Sequence, residues 1–187
     1  MSGGRLAELL PIGAALALVA LMTLTAPDWN ADPPRDLTAL AVGERGELRD
    51  LAVTVRSVDL TSSITLREGT LASTGVFVVV GVEADALIDP VAFQRVRLVV
   101  RSGERYHPRE EWPAASPPIT QAGFTSRGSW VFEIPRAGIQ GAHLQVGNDP
   151  REFEGYDRAL WVDLELDPRS LQPGPVTLDD ATTRVTG

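Results

Sequence analysis

The residues with the most varied chemistry fall in one short run, His107-Pro108-Arg109-Glu110-Glu111. An imidazole beside two carboxylates could act as a general base or begin a zinc site, but zinc needs three or four converging ligands. The chain has two histidines, His107 and His143, and Pro108 opposes the helix that would carry a paired-histidine zinc motif. An envelope hydrolase built on this run would depend on His107 or Glu111. Asp163 and Glu165 fall two apart on an alternating segment, which would set them about 7 Å apart on one strand face. Paired carboxylates at such spacing suit glycoside hydrolysis, yet no neighbouring motif outlines a sugar cleft. The alternative is that both are solvated or meet arginines such as Arg95, Arg97 or Arg101 across a sheet. Ser126-Arg127-Gly128-Ser129 reads as a loop entering a strand and lacks the frame of a nucleophile elbow. The glycines at 43, 46 and 75 precede no phosphate-loop lysine, and the spacing of a calcium loop is absent. No catalytic residue, cofactor or metal is expected from these patterns.

Recognition is a better fit to the side chains present. Tyr106, His107, Trp112 and Phe124 flank or lie in a proline-rich stretch, 107–127, with no apolar periodicity. A loop of that length calls for a reason, and loops at the end of a sandwich are natural binding surfaces. Alternatively Tyr106 and Phe124 plug the end of the core while Trp112 lies on the surface. Arg95 and Arg97 alternate with Val96 and Leu98, a basic stripe that could meet an acidic partner or anionic headgroups, or simply face water.

What positions these residues begins with composition. The chain has 187 residues, net charge −8 and no cysteine, so disulfides and thiolate sites are excluded. A nucleic-acid partner is not expected of so acidic a chain, because phosphate contacts require a basic surface. All 17 basic residues are arginine, a composition typical of a GC-rich genome. Leu9 to Ala26 carries no charge over 18 residues. As a helix that run would span roughly 27 Å, close to the thickness of a bilayer core. It is longer than the apolar part of most signal peptides, and a cleavage site after Ala26 would place Leu24 where a small residue belongs. An uncleaved transmembrane anchor is therefore expected, with secretion after cleavage as the alternative. Arg5 precedes the run while Asp28 and Asp32 follow it, so residues 1–8 are expected in the cytoplasm and the rest outside it.

Residues 27–42 read as a linker, with Trp29 at a depth suited to an interfacial aromatic or as an incidental linker residue. From Gly43 the patterning has period two. Leu51/Val53/Val55, Val76/Val78/Val80/Val82, Val96/Leu98/Val100, Trp130/Phe132/Ile134, Ala142/Leu144/Val146 and Leu160/Val162/Leu164/Leu166 each define an apolar face, with a shorter run at Ile64/Leu66. The almost wholly apolar valine run is expected to be central and covered on both sides. Turn signals at Glu68-Gly69, Ser73-Thr74-Gly75, Ser102-Gly103, Arg127-Gly128 and Gly138 separate the runs. This predicts an all-β, antiparallel β-sandwich of about seven to eight strands over 43–167, then a proline-rich tail, 168–187, with a short edge strand at 176–178.

The order of segments supports a resemblance. GERGELRDLAVTVRSVDL, the valine strand TGVFVVVGVEADA, RLVVRSGERYHP, GSWVFEIP and AHLQV occur in sequence over about residues 43–147. The chain thereby resembles the extracytoplasmic immunoglobulin-like domains of unknown function common in Gram-positive bacteria, which are related to the secreted immunogenic β-sandwich protein of mycobacteria. The resemblance implies an immunoglobulin-like fold and no catalytic residues. Two features depart from the usual pattern: the asparagine that ends the valine strand is replaced by Asp85 or is missing, and the run at 160–166 is additional. The expected function is that of a membrane-anchored interaction module beside an envelope or membrane protein partner, the alternative being a ligand- or wall-polymer-binding exported protein.

Overall fold

The computed structural model describes residues 36–186 except 68, 89, 91–94, 119–120 and 148–157. The expected anchor at 9–26 and the first part of the linker lie outside the described residues. Among the described residues no helix is long and apolar enough to cross a membrane.

Among the described residues eleven strands form two sheets: β1 (Asp36–Ala41), β2 (Arg45–Glu47), β3 (Leu51–Leu66), β4 (Gly69–Ala86), β5 (Val96–Val99), β6 (Arg105–Tyr106), β7 (Phe124–Ile134), β8 (His143–Gly147), β9 (Arg158–Asp163), β10 (Val176–Thr177) and β11 (Thr182–Val185). Sheet A runs β1-β9-β8-β5-β6 and sheet B runs β10-β3-β4-β7-β11, with β2 added beside β3. The apolar faces read from the sequence meet between them. Val76, Val78, Val80, Trp130, Phe132 and Ile134 from sheet B pack on Leu98, Leu144, Val146, Leu160 and Val162 from sheet A. This all-β sandwich is what period-two alternation demands, since each sheet must bury one apolar face.

Several boundaries differ from the sequence reading. The last part of the linker is β1, which runs parallel to β9. The expected tail supplies β10, parallel to β3, and β11, antiparallel to β7. The sandwich is therefore antiparallel except at two edges. Neither β1 nor β10 is joined to its neighbour by a hairpin, so no turn fixes its direction. The strand count rises because β2, β6 and β11 are too short to show a period, whereas β10 is the short edge strand expected at 176–178. Ser73-Thr74-Gly75 and Arg127-Gly128 are not turns: both lie inside long strands, β4 and β7.

The run at Ile64 is part of β3 rather than a separate strand. Register shifts fall at Val55/Ser57 and Thr61/Ser63. The first sets two residues of β3 against one of β4 and the second sets two against five, and each flips the side-chain alternation along β3. Leu51, Val53 and Val55 thus face inward, as does Leu60, while Ile64 turns to the outer face. There it joins Phe77, Val79 and Val131 in a second apolar cluster, outside the sandwich, covered by Trp112, Ala115 and Leu178. β4 is central and buried on both faces, and its outer cover comes from the proline-rich loop and the C-terminal segment.

Candidate functional site

The outer face of sheet B is occupied by the chain itself. Its apolar half lies under Trp112, whose ring meets Phe77 edge-on at 5.9 Å and 79°. Arg109 stands over the same indole at 5.5 Å, donates from Nε to Glu111 at 2.8 Å and pairs with Glu133. The loop backbone is bonded to β7: Arg109 N–H donates to Val131 O and Ser129 N–H to Ala115 O, both at 2.7 Å. These bonds cap the half of the β7 edge that β11 leaves open, which removes an exposed strand edge.

The polar half of the same face is an ion-pair ladder. Asp85 is buried, accepts from Thr125 Oγ1 at 2.6 Å and pairs with Arg45. Burial pushes the Asp85 carboxyl up, but the Thr125 and Arg45 hydrogen bonds more than offset it, leaving it below the usual carboxylate range. Glu83 collects Arg56 at 2.9 Å, Arg127, and Arg184 at 3.3 Å. Burial likewise raises its carboxyl, and the bonds from Arg56 and Arg127 hold it low. A shallow groove of about 640 Å³ beside this ladder is lined by Arg56, Arg127, Ser129, Asp179 and Asp180, a mixture of cations and carboxylates with no clear charge preference.

Sheet A offers a different outer face. Strand register places Arg97, Gln145, Trp161 and Ala39 in one row, and Val99, His143, Asp163 and Ala41 in the next. The His143 and Trp161 rings, diagonal neighbours across β8 and β9, stack at 5.0 Å and 23°. His143 Nδ1 lies 3.1 Å from Gly141 O, which orients the imidazole. Arg97, His143, Gln145 and Trp161 are all half-exposed. An aromatic pair with an arginine and an amide beside it is suited to recognition, offering apolar area at low entropic cost together with fixed donors.

The six residues singled out from the sequence do not share one surface. On sheet A, Arg97 lies in the row of Gln145 and Trp161, and Arg95 packs beside Gly147 one row further along. Tyr106 is at the β6 edge, partly buried against the inner core, and donates to Glu104 at 3.1 Å; burial and that carboxylate raise its phenol above the ordinary value. His107 is exposed, Trp112 is half-buried on sheet B, and Phe124 opens β7 opposite Val185. Trp112 therefore lies over an outer apolar cluster, where neither sequence reading had put it. Asp163 and Glu165 do not share a strand face. The strand ends at Asp163, whose Oδ1 accepts from Glu165 N–H at 2.9 Å, and Glu165 adopts a left-handed φ of 49°. Among the described residues no group of three or more His, Asp or Glu is placed to hold a metal ion. The His143–Trp161 pair was missed because alternation gives each residue's side of the sheet, not the register between strands.

No protein-family model matches the chain, nor does any curated protein. Among solved structures, a conserved hypothetical protein of Bacillus anthracis is similar at 22% identity and a TM-score of 0.46 over 57% of this chain and 87% of its own. A candidate lipoprotein of Bacillus subtilis is similar at 12% identity and a TM-score of 0.47, over 67% of this chain and 40% of its own. An uncharacterised β-sandwich protein of Clostridium difficile is similar at 8% identity and a TM-score of 0.44, over 71% of this chain and 97% of its own.

Proposed function

We propose that this chain is a single-pass membrane protein whose immunoglobulin-like domain stands outside the cytoplasmic membrane as a non-catalytic interaction module for an envelope or membrane protein partner. The uncharged run at 9–26 and the charges around it support the anchor and its orientation. The strand orders β3-β4-β7 and β5-β8-β9 match the A-B-E and C-F-G orders of immunoglobulin sandwiches, which supports the finer fold assignment. The observation that carries the interaction reading is the contrast between outer faces. The apolar half of sheet B is covered by the chain's own loop and C-terminal segment and its polar half is taken up by the chain's own ion pairs, while sheet A presents the half-exposed His143–Trp161 pair with Arg97 and Gln145. An anchored domain needs only a modest surface, because tethering raises the local concentration of a membrane partner.

The test is photo-crosslinking in membranes with the probe at Gln145, comparing the wild-type chain with Trp161→Ala. The reading expects one discrete crosslinked protein, lost in the variant while the fold is retained. A probe that captures nothing above background, or the same product in the variant, overturns it. A phosphatase fusion after residue 186 should be active, and an inactive fusion refutes the orientation.

A further inference from the structure

Among the described residues six large apolar side chains stand exposed, and four lie at one end of the sandwich: Leu37 at 46%, Leu87 at 40%, Ile88 at 61% and Val185 at 70%. Register places them there. Val185 pairs with Phe124, Asp85 with Thr125, and Ala86 bridges Ala122, so β11 ends where β4 ends and β7 begins. Leu87 N–H donates to Asp50 O, at the start of β3. Leu37 pairs with Ala159, which pairs with Gly147, whose N–H donates to Arg95 O beside the start of β5. The other two stand elsewhere, Val42 in the turn after β1 and Leu71 in the far part of the β3–β4 hairpin.

Exposed apolar residues scattered singly are ordinary, but a set gathered at one end marks a contact surface. The chain enters the sandwich at this same end, at Asp36. In the sequence the uncharged run ends at Ala26, and the nine residues between reach at most about 35 Å. The 18 residues of β4 are far longer, roughly 55–60 Å as a strand. Were the run held in a bilayer, a tether shorter than β4 would favour contact at this end over contact at the far end of the β3–β4 hairpin.

We propose that this end of the sandwich rests on the lipid surface in which the chain is anchored, with Leu37, Leu87, Ile88 and Val185 entering the boundary between headgroups and acyl chains. The proposal rests on the anchor reading above. Side chains that leave water for this boundary gain the same apolar transfer that holds amphipathic segments there. With the strands upright on the membrane, the sheet A face carrying His143 and Trp161 points sideways, toward a neighbour in the same bilayer.

The absence of cysteine makes the test direct. Leu18→Cys, Ile88→Cys, Val185→Cys and Leu71→Cys are made singly in the full chain, labelled with a nitroxide and reconstituted into phosphatidylcholine–phosphatidylglycerol vesicles. Collision with oxygen against a water-soluble nickel chelate reports depth. Labels at 18, 88 and 185 are expected to favour oxygen, and the label at 71 to favour nickel. If 88 and 185 behave like 71 while 18 favours oxygen, the lipid contact is refuted and the anchor stands. If 18 also favours nickel, the anchor reading fails and the lipid contact falls with it.

Discussion

Replacing Gly128 by alanine tests whether the proline-rich loop belongs to the folded body. A Cβ at this position would stand 2.6 Å from Ala115 O, 2.8 Å from Pro117 N and 3.1 Å from Ala181 Cβ. The first two are backbone atoms, so the loop itself must lift off β7. Lifting it breaks the 2.7 Å bond from Ser129 N–H to Ala115 O and strains the 2.6 Å bond from Ala181 N–H to Ala114 O. Overpacking of this kind costs about 1–3 kcal/mol. Losing one backbone bond adds about 1 kcal/mol. The reduced freedom of the unfolded chain offsets about 0.4–1 kcal/mol. The net loss is about 1.5–3 kcal/mol, a melting temperature lower by roughly 4–10 °C for a domain of this size. Gly81, which pairs with Ser129, provides the control. A Cβ there meets only Ser57 Oγ, the tip of an exposed side chain that can rotate away, so Gly81→Ala should change stability by less than about 0.5 kcal/mol. Urea and thermal unfolding followed by circular dichroism measure both variants, and indole emission should move to longer wavelength in Gly128→Ala as Trp112 leaves Phe77. Equal stability and emission in the two variants would refute the account of the loop as a structural cover.

Two further predictions follow from the polar residues. Glu83 and Asp85 both titrate below the ordinary carboxylate range in the folded chain, so their contribution is complete above about pH 5 and is lost as the pH falls through the lowered values; Asp85→Asn should flatten that acid limb of a melting-temperature profile, and an unchanged limb would contradict the assignment. Glu165, held at a φ of 49°, should be stabilised by about 0.5–1 kcal/mol on replacement by glycine, since the left-handed region costs a side-chain-bearing residue more than it costs glycine; a lower melting temperature for Glu165→Gly would show that the side chain has another role.

The inner core was legible in the sequence almost residue by residue, because side-chain parity along a strand depends only on local alternation. Val76, Val78 and Val80, Trp130, Phe132 and Ile134, and Leu160 and Val162 all point where their spacing sends them. Parity fails where a bulge intervenes: the first register shift in β3 turns Leu60 inward, out of step with Leu51, Val53 and Val55, and the second restores the original parity, so that Ile64 faces outward. β1 and β11 escaped notice for a different reason. Their residues are nearly all exposed edge positions, so burial imposed no pattern on DLTALA or TTRV.

The functional surface illustrates the same limit. Aromatics in an aperiodic, proline-rich stretch look like a recognition loop, yet Trp112 is used to roof Phe77, because the valine-rich β4 carries apolar side chains on both faces and the second face must be covered by something. With loop and C-terminal segment committed to sheet B, the half-exposed outward positions of sheet A, Arg97, His143, Gln145 and Trp161, are the ones the proposed interaction would use. His143 and Trp161 were visible as outward residues, but alternation leaves the register between β8 and β9 open, and it is the observed register, Gln145 opposite Trp161 and His143 opposite Asp163, that brings the two rings together. Side-chain parity thus assigns the outward residues of a strand more securely than the residue content of a loop assigns what the loop does.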